Sequence, residues 1–187
     1  MQRRSVAISG NAARAAVNDA WSSPSSQANE RDMTDTHDTA GIIAPPPLIY
    51  LGTLAVAYHL SRFYPLGQVP GLLAQLLSWP LLGAGVLCAV AAFRVMKHAQ
   101  TPVDPYQSTT ALVTAGPYCF TRNPLYLALS FFYLGGALLL NTVWALLLFP
   151  LVVLVMSRGV IAREERYLER KFGAVYHDYK SRVRRWL

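Results

Sequence analysis

Charge is scarce in this chain. Asp, Glu, Lys and Arg make up 14% of its 187 residues, against about 25% in an ordinary soluble domain. Acidic residues are fewest, 10 against 17 Lys and Arg. Two cysteines, Cys88 and Cys119, give neither a disulfide framework nor a zinc spacing. The four histidines are scattered at 37, 59, 98 and 177, so no metal centre is expected. No cleavable secretory signal is legible, because no apolar core follows the early arginines. What remains is a chain that is 53% hydrophobic. It reads as an all-α integral membrane protein.

Residues 1–41 carry no apolar period and read as a disordered segment, with Met33 as an alternative start. Residues 42–187 read as one membrane domain. Apolar runs predict about four transmembrane helices, near Leu48 to Phe63, Gly71 to Phe93, Pro124 to Leu140 and Val143 to Met156. Pro80 is expected to kink the second, and Gly83 and Gly85 to form a close-packing surface on it. Gly135 and Gly136 suit either packing or room for a ligand between helices. A helical pattern continues from Arg158 and should stop at Gly173. Beyond it, Tyr176, Tyr179, Val183 and Trp186 share one side, as in an interfacial helix on an anionic leaflet.

Lys and Arg crowd the second loop and the C-terminal segment, whereas the first loop has only Arg62 and the last reversal none. Both termini are therefore expected in the cytoplasm. The bilayer is the expected partner of these basic residues, and no nucleic acid is.

The chemistry is concentrated between Gly116 and Tyr126. Asn123 and Pro124 read as a helix start, with Asn123 accepting from the first free N–H groups. Arg122 beside that positive helix end suits a carboxylate or phosphate, and Tyr118 and Tyr126 offer faces for a cation. Counting about 1.5 Å per residue down from Val143 returns the chain to the level of Asn123 near Arg163 to Glu165. Glu165 falls inside an apolar stripe with Ile161, Leu168 and Phe172, and Glu164 on its flank. A carboxylate so placed is either ion-paired, with Arg122 or Arg158, or faces a ligand.

Leu112-Val113-Thr114, Gly116-Pro117-Tyr118, Arg122 to Tyr126, Glu164-Glu165, and Phe172-Gly173 with Tyr176 and Tyr179 form an ordered series. It resembles the isoprenylcysteine carboxyl methyltransferase and phospholipid methyltransferase superfamily over about residues 110–183. The resemblance implies S-adenosyl-L-methionine as cofactor. By position it implicates Thr110, Ala111, Leu112, Val113, Tyr118, Asn123, Pro124, Leu125, Tyr126 and Glu164 in binding it. Asn123 stands where prenylcysteine enzymes carry His, and Val160 near where they carry a substrate-binding Arg. The expected acceptor is therefore a lipid-like or small apolar molecule, its head group held by Arg158 and Arg163. No catalytic group is assigned from the sequence. A membrane reductase of the sterol-reductase type using NADPH, and a non-enzymatic membrane scaffold, are the alternatives.

Overall fold

The computed structural model describes residues 44–101, 109 and 111–187. The expectations for residues 1–41, for Met33 and for Thr110 lie outside the described residues. Every regular element described is helical. Helix α1 is Pro46–Phe63 and α2 is Gly71–His98. A short 3₁₀ turn, Gly116–Cys119, leads to α3, Pro124–Leu139. Helix α4, Val143–Val155, runs through a π turn, Met156–Ile161, into α5, Ala162–Arg182. The four apolar runs of the sequence are thus four helices. Two continuous helical stretches, Gly71–His98 and Val143–Arg182, are long and apolar enough to cross a membrane. Charged residues from Arg163 onward leave α5 outside the apolar part of the second stretch.

Small residues bring α2 and α3 together. A Cβ on Gly85 would meet Phe132 at 2.7 Å, and one on Gly135 would meet Leu82 at 2.8 Å and the Ser78 carbonyl at 3.2 Å. Gly85 and Gly135 are therefore packing positions. Gly83 has nothing within 4 Å, so it does not belong to that surface. Helix α1 packs on α3 and α4, where Tyr50, Tyr133, Ala137, Ala145 and Val152 form the core. Its polar atoms are satisfied internally: Tyr50 shares a 2.9 Å bond with Ser130, and Tyr133 donates to the Ala145 carbonyl at 3.0 Å. Satisfaction within the protein is what an apolar surround demands. Large apolar side chains such as Leu51, Phe63, Trp79, Leu87, Leu147 and Leu151 face outward.

The reversal between α3 and α4 is clamped to the α1–α2 loop. Asn141 accepts from the Val69 N–H at 3.0 Å and donates to its carbonyl at 3.1 Å. Asn141 takes φ +47°, a left-handed conformation that Asn tolerates better than most residues.

The helix after the π turn does break at Gly173, with φ +51° and ψ −125°. A second helical piece follows directly. The expectation of an interfacial helix with a lipid-facing aromatic side is corrected here. Tyr176 and Tyr179 are buried in the protein, and Trp186 packs against the core. Their apolar surface is spent on the fold and is unavailable to lipid.

Candidate functional site

The segment before α3 is shaped by its backbone. Gly116 takes φ +61°, and a Cβ there would lie 2.7 Å from Val95, so glycine lets the turn sit against α2. The turn sets Tyr118, whose carbonyl accepts a 2.7 Å bond from the Tyr179 hydroxyl. Thr121 accepts from the Asn123 N–H at 3.2 Å.

Asn123 does not cap α3 with its side chain, contrary to expectation. Its Nδ2 donates instead to the Arg185 carbonyl at 2.8 Å. The competing partner comes from a distant part of the chain and is invisible to local sequence reasoning. The first turn of α3 is left without a side-chain cap, so its positive end stays available.

The chain recrosses to the expected level. Tyr126 in the first turn of α3 donates to Glu164 Oε2 at 2.8 Å. The two glutamates have separate fates. Glu165, only 5% exposed, is the ion-paired one: Arg185 Nε donates to its Oε1 at 3.0 Å, and Arg122 Nη1 lies 3.1 Å from the same oxygen. Glu164 is partly exposed and lines the clefts. Burial pushes its carboxyl above the ordinary range; the Tyr126 bond opposes that and the Glu165 charge adds to it. Burial, then the Glu164 charge, raises the Tyr118 phenol. Burial likewise pushes Tyr176 up to about 12, against the opposing pull of Arg122.

Two cavities flank this segment. One, of about 90 Å³, is the more polar of the two, with polar groups set among apolar ones, and lies among Thr101, Ala111, Leu112, Val113, Leu168, Tyr176 and Tyr179. The other, of about 260 Å³, is apolar and lies between the start of α1, α2 and α3, against Pro46, Ala89, Phe93, Leu129 and Phe132. Met96, Tyr118, Arg122, Asn123 and Glu164 border both. The shared wall thus joins a cation-attracting carboxyl, a guanidinium and a phenol.

The residues expected to bind a cofactor fall into three groups. Ala111, Leu112 and Val113 line the polar cavity. Tyr118, Asn123 and Glu164 border both cavities. Pro124, Leu125 and Tyr126 line only the apolar one. Arg158 and Arg163, expected to hold a substrate head group, line neither cavity, and both are exposed. The π turn and α5 direct them away from the clefts. Arg122, read from the sequence as suiting a carboxylate or phosphate or as an ion-pair partner but not placed among the cofactor or substrate contacts, borders both cavities. Its place beside the helix start was the available signal. Tyr176 and Tyr179 were read as a membrane face, and nothing local showed that they close the polar cavity.

The family model for phospholipid methyltransferases matches residues 73–175. Over 63 residues the chain is 46% identical to an uncharacterized protein of Haemophilus influenzae, covering 34% of this chain and 100% of that one. It is 38% identical over 72 residues to a protein-S-isoprenylcysteine O-methyltransferase of Schizosaccharomyces pombe, covering 38% of this chain and 30% of that one. The enzyme of the same name from Saccharomyces cerevisiae is 35% identical over 77 residues, covering 41% of this chain and 32% of its own length. The chain therefore spans about a third of the two yeast relatives it matches. No solved structure matches it.

Proposed function

The chain belongs to the phospholipid methyltransferase family, and from that premise we propose that it is an integral-membrane methyltransferase that uses S-adenosyl-L-methionine and takes a lipid-like or small apolar acceptor from the bilayer. The observation that carries this reading is the pair of cavities, one markedly more polar than the other, with one shared wall. A water-soluble methyl donor suits the polar side, and an apolar acceptor tail suits the other.

The residues present fit the cofactor. Its two cationic groups match Glu164 and the face of Tyr118. Its carboxylate matches Arg122, whose Nε and Nη1 are buried without a hydrogen-bond acceptor among the described residues, and the uncapped start of α3. When bound, S-adenosylmethionine supplies an activated methyl group. The protein's part is to hold donor and acceptor in line across the wall, which can account for much of the rate. Glu164 borders both cavities, so it is placed to hold positive charge or to receive a proton from an amine or thiol acceptor. Phe93, Leu129 and Phe132 keep water from the acceptor side.

Four membrane crossings, with the site and both termini on the cytoplasmic side, complete the proposal. The crowding of Lys and Arg near α5 and the second loop supports that orientation. The names of the matched family and of the yeast relatives give no support to the reductase and scaffold alternatives. Isothermal titration of the purified full chain in nanodiscs with S-adenosylmethionine or S-adenosylhomocysteine tests the reading. Binding is expected. Folded protein that binds neither would refute it.

A further inference from the structure

Residues 184–186 lie beyond residue 175, where the family match ends, yet they are built into the site. Thr121 and Arg184 form a parallel bridge, and the Arg122 N–H donates to the Arg184 carbonyl at 3.0 Å. The Arg185 carbonyl accepts from Thr121 Oγ1 at 3.1 Å and from Asn123 Nδ2 at 2.8 Å. Trp186 donates to Ser157 at 3.2 Å. The backbone on both sides of Arg185 is thereby fixed against the start of α3.

The Arg185 side chain then meets Glu165 as a fork, with Nε on Oε1 at 3.0 Å and Nη2 on Oε2. Lys180 Nζ stands 3.9 Å from Oε2. Both carboxylate oxygens are occupied. Arg122 is consequently in charge contact with Glu165, 3.1 Å away, without a hydrogen bond from its Nε or Nη1. Its side chain is only 10% exposed and lines both cavities. Buried N–H donors on a charged group rarely go without an acceptor.

We propose that Arg185 is a positioning residue: by taking both oxygens of Glu165 as a fork it limits Arg122 to a charge contact with that carboxylate and leaves the Arg122 Nε and Nη1 N–H groups for an anionic oxygen group of a bound ligand. The inference deepens the methyltransferase reading and rests on it. The anion has two possible sources, the amino-acid carboxylate of the cofactor or an anionic head group of the acceptor.

The test titrates the full chain in nanodiscs with S-adenosylhomocysteine and with its decarboxylated analogue. If the cofactor is the source, R122Q and R185Q each weaken S-adenosylhomocysteine binding about tenfold and leave the analogue unchanged. E165Q/R185Q restores the affinity, because Arg122 no longer has a carboxylate to close on. R185K, which keeps the charge but not the fork, falls between R185Q and wild type. Wild-type binding with an unchanged R185Q, or with no rescue in E165Q/R185Q, overturns this inference and leaves the methyltransferase reading standing. If wild type binds no S-adenosylhomocysteine, the methyltransferase reading fails, and thermal shift with dioctanoyl phosphatidic acid decides. Stabilisation lost in R122Q and R185Q but regained in E165Q/R185Q assigns the site to a lipid head group. Its absence overturns the inference.

Discussion

Tyr126→Phe removes one hydroxyl from the lining of the apolar cavity and little else. Phe fills the same space, and the lost group is the donor to Glu164 Oε2 at 2.8 Å. A hydrogen bond to a charged group contributes about 1.5–3 kcal/mol, which corresponds to about one to two pKa units. That bond now lowers the Glu164 carboxyl, while burial, and then the Glu165 charge, raise it. In the variant the raising effects act unopposed, and Glu164 stays protonated to higher pH. A raised carboxyl pKa favours the folded protein at low pH, and that contribution is lost as pH rises through the raised value. Binding a cation has the opposite demand, since it needs the ionised form. Cofactor affinity should therefore rise with pH above the ordinary value of 4.5. The variant should bind about tenfold or more weakly where Glu164 is protonated in both proteins, and match wild type where it is ionised in both. Tyr118, Arg122 and Glu165 share this surround and are unchanged by the substitution. The assay is titration with S-adenosylhomocysteine across weakly acid to weakly alkaline pH. A loss that does not narrow with rising pH, or no loss at any pH, would refute the reasoning.

Three further outcomes are expected. Ala89→Phe fills the apolar cavity from α2; it should impair methyl transfer to a lipid-like acceptor and leave S-adenosylhomocysteine affinity unchanged, as titration beside a lipid-panel assay would show. Gly135→Ala places a Cβ 2.8 Å from Leu82 and 3.2 Å from the Ser78 carbonyl, an overpacking that costs about 1–3 kcal/mol; the melting temperature in detergent should fall, while Gly83→Ala, with open space around it, should not lower it. Arg158→Ala, exposed and bordering neither cavity, should change ligand affinity by no more than about twofold, the usual scale of a surface change.

Sequence alone determined the helices and their order. An apolar run in lipid must satisfy its own backbone, so run lengths fix where helices lie. It also determined that the chain would return to the level of Asn123 near Arg163 to Glu165, because helix rise is constant, and the 2.8 Å bond from Tyr126, in the turn after Asn123, to Glu164 bears this out. The ordered motifs from Leu112 to Tyr179 pointed to the family, which the match over residues 73–175 shows. Tertiary structure decided which polar group meets which. The helical-face estimate placed Glu165 on the buried side, and it is buried, but its partners come from Arg122 and from Arg185, 20 residues away. Asn123 had a plausible local role as a cap, and a carbonyl brought back by the folded chain outcompeted it. Arg158 and Arg163 looked as suitable for an anion as Arg122 does. Charge type alone did not separate the three, and the helix start beside Arg122 was the one local sign in its favour. Only Arg122 is carried by a loop pinned between two cavities, and pinning depends on contacts between segments far apart in the chain, which no local pattern records.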